Sequence, residues 1–261
     1  MAILAMAVYA TEANGRATYT RRTLDALQAT VDWSRHRLVI SDNGSSLEAQ
    51  ELFQLAQAYG HTVLHNGRNL GTAMAINRAW RLRRPGEHCV KMDDDVTIQQ
   101  VGWLDVLEDA VRREPRIGIC GLKRKDLEER PGHPNPWYTS SLHYLPQHPG
   151  ERCIIIERVN HVMGTCQLYS AALLAKIGYL YQGQDEGNLY GYDDSLAAVR
   201  AWRAGFWCVF VPSIEIDHID PGGTSYTAWK TSVSGAWMAR YNQIKAEYES
   251  GQRPVYWEDP Q

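Results

Sequence analysis

The first half of the chain alternates short apolar segments with stretches in which apolar residues recur at helical spacing. The apolar segments lie at residues 3–9, 37–40 (RLVI), 62–64 (TVL), 88–92 (HCVKM) and 116–120 (RIGIC). Between them, apolar residues stand three and four positions apart, as in a helix with one buried face. Strands that alternate with such helices are typical of a mainly parallel sheet covered by helices on both faces. The pattern therefore predicts an α/β fold.

The alternation lapses between residues 123 and 152, where Pro, His and aromatic residues accumulate without periodicity and predict a long functional loop. It returns with a strand at 153–156 (CIII), a helix at about 170–177, a helix at 193–204 and a strand at 207–211 (WCVFV). From residue 221 the sequence predicts an irregular tail, which begins with a loop or lid at 221–230 (PGGTSYTAWK). We therefore expect one domain at 1–220 and a tail at 221–261 that packs on it.

Composition and charge narrow the classes of function. The chain has 261 residues, of which 44% are hydrophobic, enough to bury the core of one large domain. Its formal net charge of -3 gives no support to a nucleic-acid partner. The five cysteines form no CxxC pair, which predicts buried thiols in a reducing, cytoplasmic setting. No apolar stretch approaches the roughly 18 residues of a membrane span, and the apolar N-terminal segment, without a basic leader, is interpreted as the first strand.

Three consecutive carboxylates, Asp93, Asp94 and Asp95, follow the segment HCVKM. Two unit charges about 4 Å apart repel by roughly 4 kcal/mol at the effective dielectric of a protein surface, so the triplet needs a partner. If the strand continues that far, Asp93 and Asp95 share one face and can bind a hard cation such as Mg²⁺ or Mn²⁺; a solvated acidic turn is the alternative. SDNGSS at 41–46 follows the RLVI strand in the same way. Because ligands bind beyond the carboxyl ends of such strands, both clusters should face one crevice.

Six segments occur in a fixed order along the chain. They are SDNGSS (41–46), NLGTAMAINRAW (69–80), KMDDDV (91–96), GTCQLYSAALLAKIG (164–178), GYDDSLAAVRAWRAGF (191–206) and VPSIEIDHI (211–219). In order and spacing they resemble the inverting GT-A glycosyltransferases of the large family that includes cellulose synthase and rhamnosyltransferase relatives. The resemblance covers roughly residues 3–220.

This resemblance implies a Rossmann-like GT-A fold in three α/β/α layers, with a nucleotide-binding half at about 1–97 and an acceptor half at about 98–220. It also implies a hexosyl- or pentosyltransferase that uses Mn²⁺ or Mg²⁺. Such an enzyme moves a sugar, with inversion, from a nucleoside-diphosphate sugar to an acceptor hydroxyl.

Two other functions stay open. A metal-dependent nucleotidyltransferase typically has a Gly-rich basic loop after the first strand, where this chain has only Gly15 and Arg16. A non-catalytic carbohydrate-binding protein would suit the nine tryptophans.

The resemblance also places several residues beside the donor. Asp42, after the second strand, would read the nucleotide base, and Arg68 would face the diphosphate. The donor-side set is Thr11, Asp42, Arg68, Asn69, Gly71, Asn77, Asp93 and Asp94. Local alternatives exist, because Asp42 and Asn69 can cap turns or helices and Arg68 can be a solvated side chain.

The metal ligands follow from the same resemblance. In the acidic motif, the first carboxylate approaches the ribose or sugar of the donor and the last holds the metal, which assigns Asp93 to the donor and Asp95 to the ion, with Asp93 as a further candidate ligand. His218, in VPSIEIDHI, would supply a further ligand, with a structural histidine as the alternative. The ion would bridge the donor phosphates and stabilise charge on the departing diphosphate.

The segment at 191–206 carries the proton chemistry that the resemblance implies. Arg200 and Gly205 fix the register, so Asp194 stands at the place of the catalytic base and Asp193 at that of its acidic neighbour. A base is needed because an acceptor hydroxyl is a weak nucleophile until its proton is removed. Leu196 stands where a further acidic residue is common, which keeps Asp193 open as the base, and a helix cap is the alternative for either aspartate.

Aromatic side chains can stack on sugar rings or fill a core, so they indicate the acceptor region only loosely. They cluster in the irregular stretch and in the tail, at Trp137, Tyr138, His143, Tyr144, Trp229, Trp237, Tyr241 and Trp257. The acceptor hydroxyl can belong to a saccharide, a lipid-linked glycan, a protein or a nucleic acid. The donor sugar, the nucleotide base and the oligomeric state are not indicated by the sequence.

Overall fold

The computed structural model describes residues 1–125, 141–145, 149–182, 192–220 and 225–258. Within these ranges the strands are β1 (Ala2–Val8), β2 (Arg37–Asp42), β3 (Thr62–His65), β4 (His88–Met92), β5 (Val96–Thr97), β6 (Ile117–Arg124), β7 (Ser141–Tyr144), β8 (Ile155–Val159), β9 (Cys166–Tyr169) and β10 (Trp207–His218). The helices are α1 (Ala17–Thr30), α2 (Gln50–Ala58), α3 (Thr72–Trp80), α4 (Trp103–Arg113), α5 (Ala171–Ile177), α6 (Asp193–Arg203) and α7 (Ser225–Ser250).

The strands form one sheet in the order β3-β2-β1-β4-β9-β6-β10-β8-β7, and β5 pairs with β10. β1 runs parallel to β2 and β4, β2 to β3, and β6 to β10. β9 is antiparallel to both of its neighbours, β4 and β6, and joins the two parallel groups. The predicted α/β fold is confirmed, and the carboxyl ends of β1, β2 and β4 lie at one edge of the sheet.

Helices cover both faces of this sheet because each presents an apolar side to it. On one face, α1, α2 and α4 bury side chains such as Leu24, Phe53 and Leu107. On the other face, α3 and α5 bury side chains such as Trp80 and Leu173, and α6 contributes small residues. The predicted arrangement of three layers is therefore present.

Two strands in the second half of the chain differ from the prediction. The strand predicted at 153–156 is observed as Ile155–Val159, and the strand predicted to end at Val211 continues to His218. Pro212 lies where the pairing of β10 with β6 shifts register, between Phe210 and Glu215. Because proline has no backbone donor, an irregularity of this kind allows a strand to continue past it.

The prediction of an irregular tail is wrong for residues 225–250, which form the long helix α7. Ile244 and Tyr248 of α7 pack against Leu196 and Val199 of α6 in a small core cluster of their own. Polar, glycine and aromatic residues are interspersed along α7, so no clean apolar stripe marks it in the sequence. The domain boundary near residue 220 stays a prediction.

Arg200 of α6 anchors the end of the chain. Its fully buried guanidinium donates hydrogen bonds to the main-chain oxygens of Ile177, Tyr179 and Val255. Burial lowers the pKa of Arg200 to about 10, since the charged form loses its contact with water. The arginine that fixed the register in the sequence therefore has a structural task, which is to hold the chain at residue 255 against α6.

Some predicted features lie outside the described residues. They are the centre of the long loop at 126–140, which includes Trp137 and Tyr138, and the Gly-rich start of the tail at 221–224. No helix in the described ranges is long and apolar enough to span a membrane.

Candidate active site

The predicted site residues lie mainly where strands end. Thr11 follows β1, Asp42 ends β2, and the acidic triplet at 93–95 follows β4. His218 is the last residue of β10, and Asp193 and its neighbour begin α6. Because β1, β2 and β4 are parallel neighbours, the first three groups share one edge of the sheet, as the sequence predicts.

Asp42 closes the turn after β2 and also pairs with a histidine. Its Oδ1 accepts the backbone N–H groups of Gly44, at 3.1 Å, and Ser45, at 2.8 Å. Its Oδ2 lies 2.9 Å from Nδ1 of His65, a half-exposed side chain at the end of the neighbouring strand β3. A carboxylate oxygen can accept more than one hydrogen bond, so the turn role is compatible with recognition of a base.

The SDNG and NLG segments pack together as one unit. Nδ2 of Asn43 donates to the carbonyl of Gly71 at 3.3 Å. Gly44 has a φ of +83°, and a Cβ there would lie 2.9 Å from Cα of Arg68, so the approach of the two segments requires glycine. The Arg68 side chain is exposed at this junction.

Two further donor-side residues make local contacts that shape the loops. Oγ1 of Thr11 accepts the N–H of Asn14 at 3.3 Å in the loop after β1. Oδ1 of Asn69 accepts the N–H of Gly71 at 2.9 Å, directly before α3. These contacts fix the backbone beside the crevice, and direct donor contacts by both side chains stay predictions.

Asn77 has a different environment from the one predicted. It is fully buried in α3, and its amide donates to the carbonyl of Leu180 at 2.8 Å and accepts the N–H of Leu180 at 3.0 Å. This double contact ties the chain after α5 to α3. Asn77 therefore positions Leu180, and its role beside a donor stays a prediction without a contact that supports it.

An arginine side chain pairs with two of the three carboxylates in the acidic triplet. β4 ends at Met92, so strand alternation does not reach the triplet, and the expected pairing of Asp93 with Asp95 on one face is not observed. Instead, the buried guanidinium of Arg16 lies 2.5 Å from Oδ1 of Asp94 and 2.8 Å from Oδ2 of Asp95. Thr20 donates to the other oxygen of Asp94 at 2.9 Å, so both oxygens of Asp94 are engaged.

Asp95 retains one oxygen that fits a metal. Its Oδ2 also lies 3.4 Å from Nε2 of His218, whereas Oδ1 is buried and accepts no hydrogen bond among the described residues. Burial opposes the charge of Asp95, but the hydrogen bond from His218 and the charge of Arg16 outweigh it and lower the pKa of the carboxyl. A buried, ionised oxygen beside an imidazole suits Mg²⁺ or Mn²⁺. The predicted ligands Asp95 and His218 are thus brought together.

In the described part of the chain, Asp93, Asp95 and His218 do not form a cluster of three ligand atoms within 4.8 Å of one another. Among the described residues, three ligand-type side chains lie within 4.8 Å of one another only at His36, Asp105 and Glu108. That group lies away from the crevice, because His36 directly precedes β2 whereas the site residues follow the strands. The Nδ1 of His36 accepts the N–H of Ala2, and its Nε2 lies 3.3 Å from Oδ1 of Asp105. Asp93 as a metal ligand stays a prediction.

The two aspartates at the start of α6 have separate partners. Oδ2 of Asp193 lies 2.8 Å from Nζ of Lys91, and both side chains are buried. Burial opposes the charge of Lys91, but Asp193 and Asp194 outweigh it and raise the pKa of the ammonium, so this is a charged pair. Asp194 is 24% exposed, and its Oδ2 lies 3.4 Å from Nε2 of the buried His161. Of the two carboxylates, Asp194 is therefore the more exposed.

Gly164 shapes the space between these pairs. A Cβ at this position would lie 2.7 Å from Nζ of Lys91 and 3.0 Å from Oδ2 of Asp194. The next residue, Thr165, uses its carbonyl to accept the N–H of Asp93 at 3.0 Å. The Gly-Thr segment therefore joins the acidic triplet to the start of α6, and a side chain at its first residue would displace Lys91 and Asp194.

Helix α7 approaches the same corner. The ring of Tyr241 stacks on that of Tyr192, the residue before α6, with centroids 4.3 Å apart. The hydroxyl of Tyr241 also interacts with Ser195, next to Asp194 in the chain. Tyr241 was among the aromatic residues predicted near the acceptor, and these contacts place it beside the first turn of α6.

Sequence reasoning missed three charged or titratable side chains at the site. In the sequence, Arg16 stands out only against the Gly-rich basic loop of a nucleotidyltransferase, and neither Lys91 nor His161 is among the candidate residues. The sequence does indicate that Lys91 has an ionic partner, because a buried lysine in an otherwise apolar strand requires a counter-charge. No sequence feature connects His161 to an aspartate 33 residues later in the chain.

Comparison with known proteins identifies related sequences and folds. A family model described as glycosyl transferase family 2 matches residues 11–178. No curated protein matches the sequence. Among solved structures, a mannosyltransferase from Pyrobaculum calidifontis in complex with GDP-Man and Mn²⁺ has a TM-score of 0.62 at 17% identity, over 95% of this chain and 69% of that one.

Two other solved structures show the same fold. GalNAc-T7 with UDP, GalNAc and Mn²⁺ has a TM-score of 0.60 at 14% identity, over 93% of this chain and 50% of that one. TarS from S. aureus has a TM-score of 0.58 at 17% identity, over 95% of this chain and 70% of that one. The likeness extends over almost the whole chain and confirms the predicted GT-A architecture, while the compared chains are longer.

Proposed function

The chain belongs to glycosyl transferase family 2, and on that premise we propose that it is a metal-dependent inverting enzyme that transfers a sugar from a nucleoside-diphosphate sugar to an acceptor hydroxyl. Family membership favours this function over a nucleotidyltransferase and over a non-catalytic carbohydrate-binding protein. The observation that carries the proposal is the arrangement at the start of α6. Asp194 is partly exposed, whereas its neighbour Asp193 is buried against Lys91.

Asp194 is suited to be the general base. Burial opposes its charge, but His161, Lys91 and the N–H of Ser195 outweigh it and lower the pKa of the carboxyl, so Asp194 is ionised at neutral pH. As the acceptor oxygen forms its bond to the anomeric carbon, its proton passes to Asp194. The bond between the anomeric carbon and the diphosphate oxygen breaks on the opposite face, and its electron pair leaves with the nucleoside diphosphate. Direct displacement of this kind inverts the anomeric configuration.

The donor would lie along the carboxyl ends of β1, β2 and β4. Asp42, with His65 on its Oδ2, would face the base, and Arg68 would face the diphosphate. Asp95 and His218 would hold Mn²⁺ or Mg²⁺, with Asp93 as a further ligand, and Asp94 would keep Arg16 in place. When bound, the ion supplies positive charge to the oxygens of the departing diphosphate. The Mn²⁺ and nucleotide ligands of two neighbouring structures support this assignment.

The acceptor class and the sugar, hexose or pentose, stay open. We retain a cytoplasmic location as a proposal, supported by the four buried free thiols at Cys89, Cys120, Cys166 and Cys208. Tyr241 is the side chain of α7 that we expect near the acceptor, because it lies beside the first turn of α6.

A panel of nucleotide sugars tests the proposal. Purified protein is incubated with each donor and Mn²⁺, with and without a chelator, and release of nucleoside diphosphate is measured with water as the acceptor. We expect at least one donor to be turned over in a chelator-sensitive way, and NMR of the first product to show the inverted anomer. Absence of turnover together with absence of donor binding by calorimetry would contradict the proposal.

A further inference from the structure

His161 lies at the base that the proposed reaction needs, although nothing in the sequence motifs includes it. It follows β8, is buried, and directs Nε2 at Oδ2 of Asp194, 3.4 Å away. The same nitrogen is 3.4 Å from Oγ of Ser195. The other oxygen of Asp194 accepts the N–H of Ser195 at 2.7 Å. Both carboxylate oxygens of Asp194 are therefore held in a fixed orientation.

The charges around Asp194 show why a partner is required. Asp193 adds a second negative charge next to it in the chain, and burial opposes ionisation of both. The buried ammonium of Lys91 is 2.8 Å from Asp193, so its charge is used mainly there. The phenols of Tyr169 and Tyr241 also face Asp194 and carry no charge that would compensate it. His161 is the titratable donor that is directed at Asp194 itself.

We propose that His161 is a positioning residue for the general base: it holds the Asp194 carboxylate in the orientation that receives the acceptor proton. This inference rests on the proposed role of Asp194. His161 is not the proton acceptor, because its Nε2 is directed at Asp194 and the side chain is only 10% exposed. A neutral imidazole with its proton on Nε2 suffices for the orientation, and an imidazolium would add charge stabilisation.

The first test measures the ionisation of Asp194 without any substrate. Protein labelled with ¹³C at aspartate carboxyls is titrated by NMR, and Asp194 is assigned by its loss in Asp194→Asn. In His161→Phe, burial is no longer offset by the imidazole, so we expect the pKa of Asp194 to rise by about 1 unit or more. His161→Gln keeps an N–H donor and should restore part of the shift. Ser195→Ala is the matched control, because its backbone N–H to Asp194 remains.

The second test uses hydrolysis of the best nucleotide sugar from the donor panel. We expect kcat in His161→Phe to fall by about 10- to 100-fold, a part of the 10²–10⁴ that a general base typically contributes, with donor affinity unchanged by calorimetry. His161→Gln should recover part of kcat. His61→Phe, the same replacement at a histidine that precedes β3 and contacts Gln28, should retain wild-type kcat.

The outcomes separate this inference from the proposed function. If the wild-type protein turns over no donor, the proposed function fails, and the NMR titration still decides whether His161 controls Asp194. An unchanged pKa of Asp194 in a folded His161→Phe protein overturns the inference, as does an unchanged kcat. If His161→Phe is inactive while Asp194→Asn stays active, His161 is itself the proton acceptor and the inference is wrong. Should His161→Phe fail to fold, as judged by circular dichroism, the same comparisons are made with His161→Gln.

Discussion

The guanidinium of Arg16 lies 2.8 Å from Oδ2 of Asp95 and contacts Asp94 through the same nitrogen. A third carboxylate, Asp220, lies 3.3 Å from its other terminal nitrogen. Arg16 therefore neutralises part of the charge of the acidic triplet before any metal is bound. Breaking a buried ion pair by removing one partner typically costs about 3–5 kcal/mol, so Arg16 belongs to the folded site rather than to its surface.

Asp95 should control metal-dependent binding. In Asp95→Asn, calorimetry should show that Mn²⁺ no longer strengthens binding of a nucleoside diphosphate, because Oδ1 of Asp95 is the buried oxygen without a hydrogen bond among the described residues. Asp94→Asn is the matched control: both of its oxygens are engaged by Arg16 and Thr20, so it should lose thermal stability but keep the Mn²⁺ effect. An undiminished Mn²⁺ effect in Asp95→Asn would exclude Asp95 as a ligand.

The two aspartates of α6 should differ when each is changed to asparagine. Asp194→Asn should lose about 10²- to 10⁴-fold in turnover, equivalent to roughly 3–5.5 kcal/mol, at unchanged donor affinity. Asp193→Asn should instead lower the free energy of unfolding, because Lys91 would remain buried without its counter-charge. Chemical denaturation and steady-state kinetics measure both. If Asp193→Asn loses turnover while Asp194→Asn keeps it, the base has been assigned to the wrong residue.

Asp42 should contribute to binding of the nucleotide itself. Asp42→Asn keeps the oxygen that accepts the N–H groups of Gly44 and Ser45 but removes the charge that pairs with His65. We expect weaker binding of a nucleoside diphosphate and little change in thermal stability. Calorimetry with the nucleoside diphosphates of the four common bases measures it. Equal affinity of wild type and variant for all of them would reduce Asp42 to a turn residue.

A side chain at position 164 should displace Lys91 and Asp194. In Gly164→Ala, the added Cβ would enter the space at 2.7 Å from Nζ of Lys91 and 3.0 Å from Oδ2 of Asp194, so turnover should fall sharply. Gly235→Ala is the matched control, since it lies in α7 with nothing within 4 Å of an added Cβ. Alanine is favoured over glycine in a helix by roughly 1 kcal/mol, so the control should be active and slightly more stable. Normal turnover in Gly164→Ala would show that Lys91 and Asp194 can move apart freely.

The cysteines should react unequally. Cys153 is exposed, whereas the other four are buried, and burial raises the pKa of Cys89 and of Cys208 to about 12. Because the thiolate is the reactive form, iodoacetamide at pH about 8 should modify Cys153 alone in the native protein. Mass spectrometry should show one adduct per native molecule, none in Cys153→Ser, and five after unfolding in denaturant. Rapid modification of the buried thiols in native protein would contradict the described core.

Periodicity predicted the elements that bury one clear apolar face. The strands and helices from residue 2 to residue 124 follow the alternation closely, since each helix there packs one stripe on the sheet. Helix α7 was missed because it meets α6 through few residues, such as Ile244 and Tyr248. The extension of β10 was missed because Pro212 normally marks a strand end.

The order of the motifs predicted which segments lie close together, but it did not predict which side chains form ion pairs with the charged residues. Asp42 and the triplet lie at strand ends, as predicted, because that follows from parallel topology alone. The pairing of Arg16 with Asp94 and Asp95, and of His161 with Asp194, depends on tertiary approach between segments far apart in the chain. The environment of Asn77 escaped prediction for the same reason, since its partner Leu180 is 103 residues away.

The buried ion pair of Lys91 and Asp193 limits which substitutions the protein can accept at these two positions. Replacement of Lys91 alone would leave a buried carboxylate without its counter-charge, and replacement of Asp193 alone would leave a buried ammonium without its own. Either single substitution is therefore expected to lower the free energy of unfolding. Homologues that have lost one of these two charged residues should therefore have lost the other as well. Positions 91 and 193 should covary among related sequences, although 102 positions separate them in the chain. The reason is that both side chains are buried, so solvent cannot replace a missing counter-charge.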